Sequence, residues 1–299
     1  MNAATSNRLL PPETLAGLAN LELIARTAVE GFLTGLHRSP HYGFSQEFKE
    51  YRAYVEGDDP RFVDWNVYAR TERTYIRRFE GETNTRLMIV LDASASMGYG
   101  SRTIGKLQYA KYLAAALAYL AARQHDPVGL IVFDEQVRTY RPATSRAGSL
   151  TATIHAIDAV TPGHGTDLEA CFQRFGEHLS RRGLVAVISD LYCDPAAMSR
   201  AVQPLAYRGH DIMLFQLLDP QEMRPDWRES VLLEDVETRR TLNVSPEYLA
   251  SEYRTRMDAH LRSLREAAAS AGAQQMLITT DEPLDHALRR YLQLREGRK

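Results

Sequence analysis

Four short, almost entirely apolar runs of residues, each followed by an aspartate, constrain the fold of this chain more than any other feature; Gln216 in the fourth run is their one polar residue. The runs cover 87–91, 128–133, 184–188 and 212–218. The aspartates that follow them, in one case after a serine, are Asp92, Asp134, Asp190 and Asp219. Strands that are apolar at every position are typical of burial on both faces, as in a parallel sheet. Helical patterns separate the runs, so the sequence predicts a doubly wound α/β domain with a Rossmann-like, mostly parallel sheet.

The remaining segments extend this domain on both sides. The predicted helices around the four runs cover 106–123, 150–160, 168–181 and 195–207. Before the first run we expect a helix over 12–36, a loop-rich stretch over 38–57 and an exposed or edge strand over 74–79. After the fourth run we expect a hairpin over 231–236 and 241–244, a helix over 246–271, a strand over 275–280 and a helix over 284–294. The predicted domains are an N-terminal helical and loop-rich extension, 1–81, and an α/β domain, 82–299, with an insertion at about 221–245.

Charge and cysteine content exclude several classes of protein. Lys and Arg total 36 against 38 Asp and Glu, so the global charge gives no reason to expect binding to nucleic acid or to an anionic membrane. The two cysteines, Cys171 and Cys193, are too few for a disulfide framework, and Cys171 lies at helical spacing among apolar residues. The N-terminal residues lack the apolar core of a signal peptide, and no stretch is long enough for a membrane-spanning helix. We therefore expect a reduced, soluble, cytoplasmic protein without membrane insertion.

Polar side chains at two strand ends predict a metal site. In open α/β sheets, ligands bind beyond the carboxyl ends of the strands. The sequence Asp92-Ala-Ser94-Ala-Ser96 follows the first apolar run, Asp190 follows the third, and Thr166 lies in a glycine-flanked loop between them. These two carboxylates and three hydroxyls are hard oxygen donors, which suit Mg²⁺, Mn²⁺ or Ca²⁺ and not zinc or copper. An open coordination position on such a metal would attract a carboxylate from a partner.

Each of these residues also has a simpler structural explanation. Ser94 and Ser96 could cap the helix that follows them. Thr166 begins a T-D-L-E capping box, and Asp190 could be a turn residue. Their occurrence together, in order and at strand ends of one sheet, favours the metal site.

The same five residues carry a resemblance to a known family. Asp92-x-Ser94-x-Ser96, then Thr166, then Asp190 resembles the metal-ion-dependent adhesion site (MIDAS) of von Willebrand factor type A domains. In that family these elements follow the first strand, lie in a mid-domain loop and follow the fourth strand, at one edge of a Rossmann-like sheet. All five positions match, and the resemblance covers roughly 85–220 with the last strand and helix. It implies a von Willebrand A-like fold and a bound Mg²⁺.

A second stretch resembles a bacterial family of unknown function. The residues that carry this resemblance are Tyr51-Arg52-x-Tyr54-x-x-Gly57-Asp58-Asp59-Pro60-Arg61-x-x-Asp64-Trp65-x-x-x-Ala69-Arg70. They are similar to the signature of the domain of unknown function DUF58, whose members are usually encoded beside MoxR-type AAA+ ATPases. The resemblance implies work with such an ATPase in assembling, maturing or inserting cofactors into an unknown client protein.

The residues of this second stretch leave two interpretations open. The motif consists of a glycine, a proline and a group of charged and aromatic residues: Gly57, Asp58, Asp59, Pro60, Arg61, Asp64, Trp65 and Arg70. It could be an internal ion-pair network or a docking surface, since Arg, Tyr and Trp are favoured interface anchors. Mixed charges with few long apolar residues need mutual satisfaction, which slightly favours the structural role.

Two functional hypotheses follow, one without and one with catalysis. The chain has no G-x-x-x-x-G-K-[ST] motif, so any ATP hydrolysis would belong to a partner. We predict a non-catalytic, metal-dependent protein-interaction module. The alternative is a Mg²⁺-dependent phosphohydrolase with Asp92 as nucleophile. Against it, Ser94 stands where haloacid-dehalogenase-type phosphatases have a second aspartate, and the catalytic lysine expected downstream has no clear candidate near Asp190.

Overall fold

The computed structural model describes residues 11–18, 20–36, 47–55, 63–80, 86–166, 168–179, 181–235 and 239–296. The chain forms two compact units. One contains the described residues up to Phe32 together with Thr85–Lys299, and the other is Leu33–Asn84. The predicted boundary at residue 81 stays a prediction.

The structure contains the following elements. The strands are β1 (Glu47–Ala53), β2 (Tyr75–Glu80), β3 (Arg86–Asp92), β4 (Val128–Phe133), β5 (Val137–Thr144), β6 (Gly183–Ser189), β7 (Asp211–Leu218), β8 (Val231–Glu234), β9 (Thr241–Val244) and β10 (Ala273–Thr279). The helices are α1 (Pro12–Ala16), α2 (Leu21–Leu36), α3 (Trp65–Thr71), α4 (Lys106–Arg123), α5 (Ser149–Asp158), α6 (Leu168–His178), α7 (Pro195–Tyr207), α8 (Pro220–Met223), α9 (Pro246–Tyr248), α10 (Arg254–Ser270) and α11 (Leu284–Glu296).

A six-stranded sheet with the order β10-β7-β6-β3-β4-β5 forms the centre of the larger unit. All neighbouring strands are parallel except β5, which pairs antiparallel with β4 at one edge. The strands β3, β4, β6 and β7 are buried at nearly every position, as their continuous apolar runs predicted. The predicted doubly wound, mostly parallel α/β fold is therefore confirmed.

The order of the strands creates a switch point between β3 and β6. From β3 the chain proceeds to β4 and β5 on one side, and it later returns to β6, β7 and β10 on the other. Loops leaving neighbouring strands in opposite directions open a crevice at the carboxyl ends, which is where open α/β sheets bind ligands. A ligand site is therefore expected at the carboxyl ends of β3 and β6.

Helices cover both faces of this sheet. On one face α4 packs against β3, β4, β6 and β7, and nearly all of its residues are buried. Its many alanines allow the helix to approach the strands closely. On the other face, side chains of α6, α7 and α10 form one apolar core with the strands; Phe172, Val202 and Leu264 belong to it together with Val187 of β6. Cys171 belongs to this core, as predicted.

Several predicted elements differ in detail from those observed. The predicted helix over 12–36 is two helices, because α1 ends at Gly17 and the side chain of Asn20 accepts a hydrogen bond from Leu23 N (2.7 Å), which starts a new helix. The strand β1 lies inside the predicted loop over 38–57. The edge strand β5 was missed because its less exposed face carries the polar residues Thr139 and Arg141 and Pro142 interrupts it, so its sequence shows no apolar/polar alternation. The long C-terminal helix begins as α9 and a π-helical turn before α10.

Among its described residues, the smaller unit contains the end of α2, an antiparallel pair of strands and the short helix α3. β1 pairs with β2, and Val63 forms a bridge with Ile76 next to the start of α3. In the larger unit the predicted hairpin is present as β8 and β9. Among the helices of the described residues, none has the length and apolar character to cross a membrane.

Candidate functional site

Asp92 and Asp190 lie side by side at the switch point of the sheet. Asp92 is the last residue of β3, and Asp190 directly follows β6, whose Ile188 is in register with Leu91. Both aspartates are buried, with 0% and 2% of their surfaces exposed. Parallel pairing thus brings together two carboxylates that are far apart in the sequence.

The loop after β3 presents two hydroxyls next to Asp92. The Asp92 carboxylate accepts hydrogen bonds from Ser94 N (2.8 Å) and Ser189 Oγ (2.5 Å). Ser94 Oγ and Ser96 Oγ lie 3.1 Å apart, while Ser94 makes no side-chain capping bond to the short helical turn that follows. Neighbouring ligands in an octahedral shell with bonds of about 2.1 Å are separated by about 3 Å. The two hydroxyls therefore fit adjacent metal-ligand positions, and the capping explanation does not account for Ser94.

The loop that carries Thr166 is held against this segment by backbone hydrogen bonds. Ala95 N donates to the carbonyl of His164, and Gly163 N donates to the carbonyl of Ala93, both at 2.6 Å. A Cβ atom on Gly163 would collide with the Asp134 carboxylate and lie 3.1 Å from Ala93 O. A side chain at this position would therefore displace the Asp134 carboxylate and crowd the carbonyl of Ala93. Thr166 follows two residues after His164 and is partly buried.

The two carboxylate oxygens of Asp190 have different partners. Oδ1 accepts a hydrogen bond from Tyr192 N at 3.3 Å, which is the turn interaction that the simpler explanation anticipated. Oδ2 accepts a hydrogen bond from Lys106 Nζ at 2.7 Å. The Asp190 backbone carbonyl accepts a further hydrogen bond from Gln216 Nε2. Asp190 is thus both a turn residue and half of a buried ion pair.

Lys106 is the main residue of this site that sequence reasoning missed. Its side chain is completely buried, and Nζ also pairs with Glu222 Oε1 at 2.7 Å. The ammonium lies 5.0 Å from the centre of the Tyr192 ring. The expectation that no lysine lies near Asp190 is therefore wrong, because only downstream residues were considered and Lys106 comes from the first turn of α4. Lysine is rarely buried completely unless it is paired, so the position of Lys106 at the start of a largely apolar helix gave little signal of its burial.

The surroundings raise the pKa values of two groups of this site, Asp92 and Lys106. Burial and the neighbouring charge of Asp190 raise the pKa of Asp92 to about 7. Burial disfavours the charged form of Lys106, but the ion pairs with Asp190 and Glu222 outweigh it and raise the pKa of the ammonium. Two carboxylates, Asp190 and Glu222, thus contact one ammonium, and the buried Asp92 carboxyl lies beside Asp190. A divalent cation would favour the ionised form of Asp92. The donor set fits such an ion through Asp92, Ser94, Ser96 and Asp190.

The remaining two strand-end aspartates have structural partners. Asp219, after β7, accepts hydrogen bonds from Ser101 N (2.9 Å) and Gln221 N (2.8 Å). Its own backbone N–H donates to Glu222 Oε2 at 2.8 Å, so Glu222 joins the cap of α8 to Lys106. Asp134, after β4, accepts from Gln136 N at 3.1 Å. Within the described residues, no cluster of three or more His, Cys, Asp or Glu side chains suits a metal ion, so the candidate ligands depend on hydroxyls.

The second predicted stretch is only partly described. Gly57, Asp58, Asp59, Pro60 and Arg61 lie outside the described residues. Asp64 is buried and caps α3 by accepting from Val67 N at 3.2 Å. Trp65 is 62% exposed and contacts the edge of the Tyr68 ring, and Arg70 is exposed. Asp64 thus has a structural role, whereas Trp65 presents an aromatic surface to solvent.

Comparisons with known proteins reveal similar chains of uncharacterized function. An uncharacterized protein of Mycobacterium bovis and one of Mycobacterium tuberculosis are each 27% identical over 275 residues, which cover 90% of this chain and 86% of theirs. Among solved structures, the conserved hypothetical protein BatB from Bacteroides thetaiotaomicron matches with a TM-score of 0.48 and 16% identity, over 70% of this chain and 97% of its own. The SpRpn10 VWA domain matches with a TM-score of 0.40 and 12% identity, over 69% and 94%.

A family profile matches most of the chain. It is described as "Protein of unknown function DUF58" and covers residues 50–267 of the 299. The match includes the aromatic and charged stretch around Asp64 and all five candidate metal ligands. The chain therefore belongs to the DUF58 family.

Proposed function

We propose that the protein is a metal-dependent interaction module. Asp92, Ser94, Ser96, Thr166 and Asp190 would hold Mg²⁺, or Mn²⁺ or Ca²⁺ in its place, at the carboxyl edge of the sheet. When bound, the ion supplies a positive charge with an open coordination position for an oxygen ligand. An acidic side chain of a partner protein is the ligand that such a position favours.

One observation carries this proposal. The fold brings the buried carboxylates of Asp92 and Asp190 together at the switch point, beside two hydroxyl oxygens that are 3.1 Å apart. Two neighbouring buried carboxylates repel each other, and a bound divalent cation would relieve this repulsion, since Lys106 pairs with Asp190 and not with Asp92. Hydroxyl ligands do not neutralise the ion, so it would keep charge with which to attract a partner.

We further propose the partner. Members of the family that this chain resembles are usually encoded beside MoxR-type AAA+ ATPases. We therefore propose that the protein forms a complex with such an ATPase and a client protein. The chain has no nucleotide-binding P-loop of its own. In this proposal the ATPase supplies the energy, and the DUF58 protein selects the client for assembly, maturation or cofactor insertion, without binding nucleic acid and without membrane insertion.

Metal binding is tested first on the protein alone. Mn²⁺ binding to the full chain is measured by electron paramagnetic resonance for the wild type, Ser96→Ala and Ser270→Ala. Loss of one ligand hydroxyl should weaken Mn²⁺ binding by about tenfold. Ser270 is the matched control, because it is exposed and its hydroxyl only contacts Ala267 O in its own helix. Equal affinity in Ser96→Ala and the wild type would contradict the ligand assignment.

Partner binding is tested by co-purification. The wild type and Asp92→Ala are used to capture proteins from the native host in Mg²⁺, in EDTA, and in EDTA followed by excess Mg²⁺. The MoxR-type ATPase or a client should be retained only by the wild type with Mg²⁺, and circular dichroism checks that Asp92→Ala is folded. Retention of the same proteins in EDTA would overturn the metal-dependent function.

The phosphohydrolase hypothesis has one point in its favour and three against it. Lys106 beside Asp190 resembles the lysine that the hypothesis requires. However, Asp92 is completely buried, both of its oxygens already accept hydrogen bonds, and Ser94 cannot act as the acid/base. We propose that the protein is not an enzyme. Turnover of p-nitrophenyl phosphate in Mg²⁺ that disappears in Asp92→Asn would refute this.

A further inference from the structure

We infer that Lys106 is a built-in competing cation, which weakens the hold of the candidate metal site on a divalent ion through its ion pair with Asp190. The inference rests on the proposed metal site. It adds a residue that sets the affinity of this site and that does not itself bind the ion.

The geometry makes the Lys106 ammonium a fixed charge. Its side chain is completely buried, and Nζ lies 2.7 Å from both Asp190 Oδ2 and Glu222 Oε1. The rings of Tyr192 and Tyr99 lie 5.0 and 5.9 Å from Nζ, within the range of cation–π attraction. Glu222 is itself fixed, because its second oxygen accepts from the backbone of Asp219 at 2.8 Å. The ammonium therefore cannot move into solvent without breaking several buried interactions.

This fixed charge acts on the metal site in two ways. Lys106 takes one of the two oxygens that Asp190 could offer to a metal or to its bound water. It also places a positive charge beside a site that must accept two more, and Coulomb repulsion is strong where water is excluded. Glu222 partly compensates, since its carboxylate pairs with the same ammonium. A site weakened in this way would bind a divalent cation more tightly in the presence of an acidic partner, which adds a further negative charge, than in the protein alone.

A double-mutant cycle separates this electrostatic role from a structural one. Mn²⁺ affinity is measured for full-length wild type, Lys106→Met, Glu222→Gln and the double variant. We expect Lys106→Met to bind Mn²⁺ about tenfold more tightly or better, and Glu222→Gln to bind it at least about threefold more weakly. The double variant, which removes one positive and one negative charge, should bind Mn²⁺ with an affinity between those of the two single variants, about threefold tighter than the wild type if the two effects add. Glu234→Gln is the control, because Glu234 is exposed and pairs with Arg239 elsewhere.

Every outcome of this cycle supports or overturns a proposal. If Lys106→Met binds Mn²⁺ no more tightly than the wild type, the inference is overturned while the metal site itself stands. If only Lys106→Met and not the wild type binds Mn²⁺, the inference stands and the metal-dependent function falls. If neither binds, both are overturned. Should Lys106→Met fail to fold, unchanged affinity in Glu222→Gln overturns the inference, and weaker binding than in Glu234→Gln supports it.

Discussion

Asp219 is expected to stabilise the fold through its charge, and Asp219→Asn tests this. The carboxylate is completely buried and connects three segments: Ser101 before α4, Gln221 in α8, and Thr280 after β10. Oδ1 accepts from Ser101 Oγ and Gln221 N, and Oδ2 accepts from Ser101 N and Thr280 Oγ1. Because both oxygens accept, an asparagine must turn its amide nitrogen toward at least one donor.

The expected loss of stability follows from these contacts. A hydrogen bond to a charged group contributes about 1.5–3 kcal/mol, and a buried donor left without a partner costs about 1–3 kcal/mol. Since asparagine keeps one accepting oxygen, we expect a total loss of roughly 2–4 kcal/mol in the free energy of unfolding. Burial raises the pKa of Asp219, but the hydrogen bonds from Ser101 and Gln221 outweigh it and hold this pKa below the usual 3.8. The stabilisation is therefore present above pH 3.8 and is lost as the pH falls through the pKa of the folded state.

Urea denaturation followed by circular dichroism measures this difference. The matched control is Asp194→Asn, the same change at the exposed cap of α7, where Asp194 accepts only from Ala197 N. Asparagine is as good a cap as aspartate, so the control should change stability by less than about 0.5 kcal/mol. A loss below about 1 kcal/mol in Asp219→Asn, or a loss that persists unchanged in acid, would refute the electrostatic role of the buried carboxylate.

Two further predictions concern pH and the loop beside the site. Burial lowers the pKa of His210 below the usual 6.5, so the contribution of His210 to the free energy of unfolding should be constant above that pH and decrease below it. The variant His210→Asn should lack this decrease. Denaturation at several pH values measures the difference between the two proteins. Gly163→Ala should weaken Mn²⁺ binding several-fold, because the added methyl group meets Asp134 and Ala93 O and moves the loop. Gly148→Ala, with a left-handed backbone but open space, should lower stability by about 1 kcal/mol and leave Mn²⁺ binding unchanged.

The parallel sheet was predictable because its strands are buried on both faces. A strand such as β4 is a short run with no polar residue, and its length and the turn residues around it identify it as a buried strand. The edge strand β5 was missed because its less exposed face carries the polar residues Thr139 and Arg141, so its sequence shows no apolar/polar alternation. Residues 57–61, on which the family resemblance partly depends, lie outside the described residues.

Of the candidate site, the sequence determined the ligand types and the tertiary structure determined their surroundings. Asp92, Ser94 and Ser96 are close in the chain and follow a recognisable strand, so local spacing was sufficient to single them out. The turn bond from Tyr192 to Asp190 is also local. These contacts span few residues, and short-range patterns are what a single sequence encodes most clearly.

Only the tertiary structure decided the charge balance of the site. Lys106, Asp190 and Glu222 come from α4, from the end of β6 and from α8, separated by 84 and 116 residues from the lysine. Nothing in the spacing of these residues indicates that they meet, because packing of α4 across the sheet and the capping box of α8 set their positions. The sequence thus determined an α/β fold with oxygen ligands at its switch point. The fold added a buried ammonium to these ligands, because the closely packed start of α4 leaves the lysine no path to solvent.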